Sequence, residues 1–162
     1  MSLHSPNHIS NEGIQLPTDA FVVIVKTEWN EKIINELETG CIKVLEENNI
    51  AYQTIIVPGA VEIPFAIKHF WESPIYKKPH AFISLGCVIR GGTPHFDFVC
   101  KLVTEGVLQL NLLLPVPTIF GVLTVDNETQ ALERLGGVHG HKGEEAAWTS
   151  IKMISLSQSF KN

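Results

Sequence analysis

Apolar residues along this chain follow two alternating rhythms. Residues 20–26 (AFVVIVK) form a short, nearly continuous β-branched run, the pattern of a strand buried on both faces. Residues 31–48 switch to helical spacing, with Ile33, Ile34, Leu37, Cys41, Val44 and Leu45 on one face and Asn49 closing the helix. A second strand is predicted over 51–57, ended by Pro58 and Gly59, and a helix over 61–71 with Pro64 tolerated in its first turn. The apolar run 80–90 (HAFISLGCVIR) predicts a third strand, ended by Gly91 and Gly92. A long helix follows from 94 to about 113, striped by Phe96, Val99, Val103, Val107 and Leu110 and stopped by Pro115 and Pro117. Residues 118–124 (TIFGVLT) read as a fourth strand, 127–135 as a short helix capped by Gly136 and Gly137, and 142–156 as the last helix with Ala147, Ile151 and Ile154 inward.

Strands alternating with helices imply an α/β protein with a parallel sheet covered on both faces. The expected domain spans 20–162, preceded by an arm over 1–19 rich in Ser, Asn, His and Pro and without a core of its own. Open parallel sheets take ligands outside the carboxyl ends of their strands. The segments to inspect are therefore 27–30, 58–62, 90–95 and 124–127.

Composition narrows the classes. In 162 residues the formal net charge is −5, which is not the basic footprint of a nucleic-acid binder. No apolar run reaches the ~20 residues of a spanning helix, and the N-terminus has no signal-peptide core, so a cytoplasmic protein is expected. Cys41, Cys87 and Cys100 are odd in number and widely spaced, which reads as reduced thiols rather than disulfides.

The segment Arg90-Gly91-Gly92-Thr93-Pro94-His95-Phe96-Asp97 carries the most chemistry. Thr93 is placed as a helix N-cap with Pro94 at the first helical position. Glycines ahead of a helix N-terminus let backbone N–H groups approach an anion, best a phosphate. His95 then stands in the first turn, able to move protons near neutral pH. The same residues also fit a plain glycine turn with a surface histidine. Neither the Gly-Lys-Ser/Thr ending of a nucleotide P-loop nor the G-x-G-x-x-G fingerprint is present. Glu62, opening a helix, is either a carboxylate favoured by the helix dipole or an acceptor for sugar hydroxyls. Trp29, beside Asn30, either staples the following helix or stacks on a planar ring. Arg134 is either solvated or a clamp on phosphate. Lys142 is electrostatically misplaced at a helix start, and the flanking Gly140 and Gly143 would let backbone pass close to a ligand. His139 and His141 with His95 and Glu62 make a weak metal pattern, and no metal is expected.

Taken in order, these strings resemble the lumazine synthase family: Pro58-Gly59-Ala60-Val61-Glu62-Ile63-Pro64; Leu85-Gly86-Cys87-Val88-Ile89 running into the 90–97 segment; Phe120-Gly121-Val122-Leu123-Thr124; Ala131-Leu132-Glu133-Arg134; and Gly140-His141-Lys142-Gly143. The likeness runs from about residue 20 to 156. It implies a flavodoxin-like three-layer sandwich with a four-stranded parallel sheet. It also implies homopentamers, in some members decamers or sixty-subunit shells, with active sites between adjacent subunits.

The implied activity is a transferase of riboflavin biosynthesis. It condenses 5-amino-6-(D-ribitylamino)uracil with 3,4-dihydroxy-2-butanone 4-phosphate, needs no metal, nicotinamide or flavin, and has riboflavin synthase as a partner enzyme. By position, the resemblance assigns Trp29, Asn30, Ala60, Val61, Glu62, Cys87, Val88, Ile89 and Lys142 to the pyrimidine substrate, with Phe120 closing the pocket from the neighbouring chain. Gly92, Thr93 and Arg134 fall to the phosphate, and His95 to proton transfer. Two departures stand out: Val61 where an aromatic is common, and the run 136–143 (GGVHGHKG), in which cationic and amide side chains of the family are replaced. Competing readings on the same fold are a riboflavin synthase of archaeal type, which has no phosphate substrate, a flavin-binding shell protein without turnover, and a flavodoxin-like carrier. The last would need a flavin phosphate loop in place of Thr27-Glu28-Trp29-Asn30.

Overall fold

The computed structural model describes residues 13–161. Its elements are β1 (Phe21–Thr27), α1 (Glu31–Glu47), β2 (Ala51–Val57), a 3-10 turn (Ala60–Glu62), α2 (Ile63–Glu72), β3 (Ala81–Ile89), α3 (His95–Leu113), β4 (Thr118–Val125), α4 (Glu128–Leu132), a small hairpin of β5 (Leu135–Gly137) and β6 (Gly140–His141), and α5 (Lys142–Ser159). The main sheet is parallel throughout, in the order β2-β1-β3-β4, with Phe21 beside Ala51, Val22 beside Ala81 and Phe82 beside Thr118.

Alternation along each strand divides the core in two. Val22 and Ile24 of β1 and Ile83 and Leu85 of β3 face α1 and α5. Phe21, Val23 and Val25 with Phe82 face α2 and α3. Residues 22–25 are all 0% exposed, the burial that a continuous β-branched run calls for. This is the flavodoxin-like three-layer arrangement that the resemblance implies. Two helix pairs approach closely because glycine stands at the contact. A Cβ on Gly106 of α3 would lie 2.4 Å from Pro64 Cγ of α2, and one on Gly143 of α5 would lie 1.9 Å from the Leu37 carbonyl oxygen of α1.

The region after β4 departs from the sequence reading. Instead of one helix over 127–135, the chain makes a short α4 and then the β5–β6 hairpin. Asn127 caps α4 by accepting from the Gln130 N–H at 3.0 Å. Gly136 and Gly137 do not cap it. Gly136 (φ 101) and Gly140 (φ 73) adopt left-handed backbone that lets the hairpin turn back. Strands of two and three residues are too short to display a period of two. The last helix also runs three residues beyond 156.

Part of the arm, residues 1–12, lies outside the described residues. Further along it, Ile14 and Leu16 pack against the core on the α1–α5 side, and the Gln15 N–H donates to Ser155 Oγ at 2.9 Å. Among the described residues no helix is long and apolar enough to cross a membrane.

Candidate active site at the strand tips

The four β-strand tips are tied to one another by backbone and side-chain hydrogen bonds. After β1, the Glu28 N–H donates to Val57 O at 2.9 Å and the Trp29 N–H to Pro58 O at 3.4 Å, extending the β1–β2 ladder past the strand ends. Asn30 adopts left-handed backbone (φ 60, ψ 42), and its Nδ2 donates to Cys87 O at 2.9 Å. The side-chain amide of Asn30 is thus committed to joining tip one to β3. Trp29 is 73% exposed, so it is not a staple buried against α1.

At tip two, Gly59 is extended and the Glu62 N–H donates back to Gly59 O at 3.2 Å. Ala60 is buried, while Val61 and Glu62 are exposed in the 3-10 turn. Pro64 is accommodated at the start of α2 as expected.

At tip three, Cys87 is buried and Val88 and Ile89 are half-buried. Burial pushes the Cys87 thiol up to about 11, and burial with the nearby Glu38 carboxylate pushes Cys41 up to about 12, from an ordinary 9.0. Both thiols are therefore neutral near pH 7 and supply no thiolate nucleophile. Because the folded state favours their neutral form, their contribution to stability is present below pH ~9 and is lost as pH rises toward 11–12. The helix is regular from His95, with Pro94 already in helical backbone ahead of it, and the Thr93 hydroxyl accepts from the His95 N–H at 3.4 Å, two residues on, a long form of the capping bond that the sequence predicts. Gly91 and Gly92 are exposed, neither has positive φ, and a Cβ on either would meet nothing within 4 Å. The fold itself does not call for glycine at these two positions. Glycine there leaves the backbone N–H groups ahead of α3 open to an anion, with exposed His95 beside them.

Arg90 heads this segment without a role that its sequence position assigns, and the structure gives it a place. Its N–H continues the sheet to Val125 O at 2.9 Å. Its Nε donates to Asp126 Oδ1 at 2.9 Å, and its Nη1 pairs with Asp97 Oδ1 at 3.2 Å. The guanidinium lies 4.1 Å from the centre of the Phe96 ring. Hydrogen bonding to Asp126, with the two negative charges alongside, raises its pKa further. An arginine closing a buried strand, with an aspartate just after the next strand, was the available signal.

Three assigned residues lie elsewhere on the same chain. Phe120 is in mid-β4, beside Ser84, five residues and so ~16 Å back from the β4 tip. Arg134, between α4 and β5, is half-buried and donates through Nη1 to Gln130 O at 2.6 Å, while its carbonyl accepts from the Lys142 N–H. Lys142 opens α5 and pairs with both oxygens of Glu145 at 2.8 Å, which offsets its position at a helix N-terminus. Gly143 does not present backbone to a ligand as the sequence suggested, because it is filled by the α1 backbone. His141 accepts at Nδ1 from the Glu144 N–H at 3.3 Å with its ring against Gly40, and His139 Nε2 sits 3.8 Å from Glu133 Oε2. Among the described residues no group of three His, Cys, Asp or Glu side chains converges as a metal site. A shallow hollow of about 260 Å³, lined by Gln53, Ile55, Ala66, His69, Phe70 and Tyr76, lies on β2 and α2 rather than at the tips.

The fold and its tips define a class: parallel-sheet α/β enzymes with the ligand end at the strand carboxyl termini. Comparison with known proteins narrows this. Residues 19–158 match the family model described as 6,7-dimethyl-8-ribityllumazine synthase. Curated proteins of that name are similar over most of their length. The one from Parabacteroides distasonis is 45% identical over 83% of this chain and 84% of its own. That from Porphyromonas gingivalis is 41% identical over 96% of both chains, and that from Bdellovibrio bacteriovorus 47% identical over 85% of this chain and 75% of its own. The chain belongs to the 6,7-dimethyl-8-ribityllumazine synthase family.

Proposed function

We propose that the protein condenses 5-amino-6-(D-ribitylamino)uracil with 3,4-dihydroxy-2-butanone 4-phosphate to 6,7-dimethyl-8-ribityllumazine, phosphate and water, as a cytoplasmic enzyme of riboflavin biosynthesis. The observation that carries this reading is the open Gly91–Gly92 turn leading into α3 and His95, in a chain of this family. The turn, with Thr93 and an Arg134, holds the phosphate. Trp29, Ala60, Val61, Glu62 and the Cys87–Ile89 edge receive the pyrimidine and its ribityl chain. Asn30 serves that pocket by fixing Cys87, and Lys142 stands near its far end. The substrate amine attacks the ketone and a first water leaves as the imine forms. Loss of a carbon-bound proton then expels phosphate, and ring closure releases a second water. His95 moves protons in these steps, and most of the rate comes from holding two substrates together.

The catalytic domain in this reading is 20–162, with 1–19 as an arm. Its site is shared between neighbours of a homopentamer, the ring from which decamers or sixty-subunit shells are built, and riboflavin synthase consumes the product. Exposed Phe98, Leu102, Leu112 and Leu113 on α3, with Phe65 on α2 and Phe120 on β4, support assembly, since large apolar side chains of this kind are what subunit contacts cover. Sedimentation at micromolar protein should give a species of at least five chains, and a monomer would sink the shared site.

The activity is tested by absorbance. With both substrates, protein-dependent growth of the lumazine chromophore above the uncatalysed rate is expected, and it should vanish when the butanone phosphate is omitted. Turnover of lumazine to riboflavin would favour the archaeal-type riboflavin synthase instead, and flavin binding without either reaction a shell protein.

A further inference from the structure

We infer that Arg90 is the positioning residue of the phosphate site: it does not hold the anion itself but fastens the 91–94 turn and offsets one of the two carboxylate charges beside it. The inference rests on the proposed phosphate-bearing substrate. An arginine immediately preceding an open glycine turn would ordinarily be assigned to the phosphate directly. Here one donor on Nε and one on Nη1 face Asp126 and Asp97, on opposite flanks of the turn, so the fork is held by carboxylates on both sides. The contacts place Arg90 at the junction of three elements. Its backbone closes the β3–β4 ladder at Val125, Asp126 begins the segment after β4, and Asp97 and Phe96 belong to the first turn of α3. A planar fork stacked on an aromatic ring holds these pieces at fixed angles, which a flexible ammonium does not.

The second consequence is electrostatic. Asp97 and Asp126 are carboxylates near the end of the sheet where a phosphate would enter, and both are more than half exposed. With Arg90 present, the three side chains sum to one negative charge. Without it, they sum to two, facing a doubly charged ligand. Removal of Arg90 therefore loosens the turn and also repels the anion, although Arg90 never touches it.

The test compares wild type, Arg90→Gln, Arg90→Lys and the triple change Arg90→Gln, Asp97→Asn, Asp126→Asn, using inorganic phosphate as the calorimetric probe. Arg90→Gln should weaken phosphate binding at least tenfold. It should raise KM for the butanone phosphate by a similar factor and leave KM for the ribitylaminouracil within twofold. Arg90→Lys, which keeps the charge but not the fork, should fall between. The triple change should recover much of the phosphate affinity, while amide hydrogen exchange at Gly91 and Gly92 stays faster than in wild type. Equal phosphate binding in wild type and Arg90→Gln would overturn the inference, as would no phosphate binding in wild type. Parallel rises in both KM values would reduce Arg90 to a structural residue. If Arg90→Gln fails to fold, Arg90→Lys and the triple change decide the matter by the same readouts. Wild type that binds phosphate but makes no lumazine would remove the proposed reaction and leave the phosphate comparison to decide Arg90.

Discussion

Gly143→Ala is expected to cost about 3 kcal/mol of folding stability or more, near the top of the range for overpacking. The added methyl would stand 1.9 Å from the Leu37 carbonyl oxygen and 2.8 Å from its carbon, with the His141 ring 3.1 Å away. The obstacle is backbone of α1, not the end of a movable side chain, so relief requires α1 and α5 to part. These helices cover one whole face of the sheet, and Ile34, Leu37, Ala147 and Ile151 beneath them are fully buried. Urea unfolding of the variant beside Gly92→Ala gives a clean contrast. The Gly92 methyl meets nothing, so that variant should unfold with the wild-type midpoint. A Gly143→Ala midpoint within experimental error of wild type would show that the helix contact is looser than described.

Arg134→Gln should be the most damaging of the substrate-site changes to catalysis at low substrate. A guanidinium that meets phosphate through charge-assisted hydrogen bonds contributes ~1.5–3 kcal/mol, equivalent to roughly 10- to 150-fold in KM for the butanone phosphate. The Arg134 side chain makes one hydrogen bond, Nη1 to Gln130 O of α4, and its pairing with Lys142 of α5 is through backbone that the substitution keeps, so stability should barely change. Steady-state kinetics with each substrate varied in turn would separate the effects. A KM rise confined to the pyrimidine, or kcat loss without any KM change, would place Arg134 away from the phosphate.

Much of the architecture was readable because burial wrote it into the residues. β1 is apolar on both faces since helices cover both, and α1 repeats at helical spacing since one face alone meets the sheet. The tips were readable because glycine and proline punctuate strand ends. What escaped depends on partners distant along the chain. The Arg90–Asp126 pair spans 36 residues, and no local pattern marks it. Gly143 resembled a ligand-facing glycine because sequence cannot tell which neighbour fills the missing side chain, and the neighbour proved to be α1. The β5–β6 hairpin was hidden by its brevity, its glycines looking like a helix stop.

Phe120 stands ~16 Å from the β4 tip of its own chain, and the Arg134 hairpin makes its contacts with α1, α4 and α5. If each pocket joins the tips of one protomer to these residues of the next, the unit of heredity and the unit of catalysis differ. An allele spoiled at His95 and another spoiled at Arg134 would each yield rings without an intact pocket. Expressed together, they would form mixed rings in which some junctions set a sound tip against a sound hairpin, so two recessive lesions in one gene would partly complement each other.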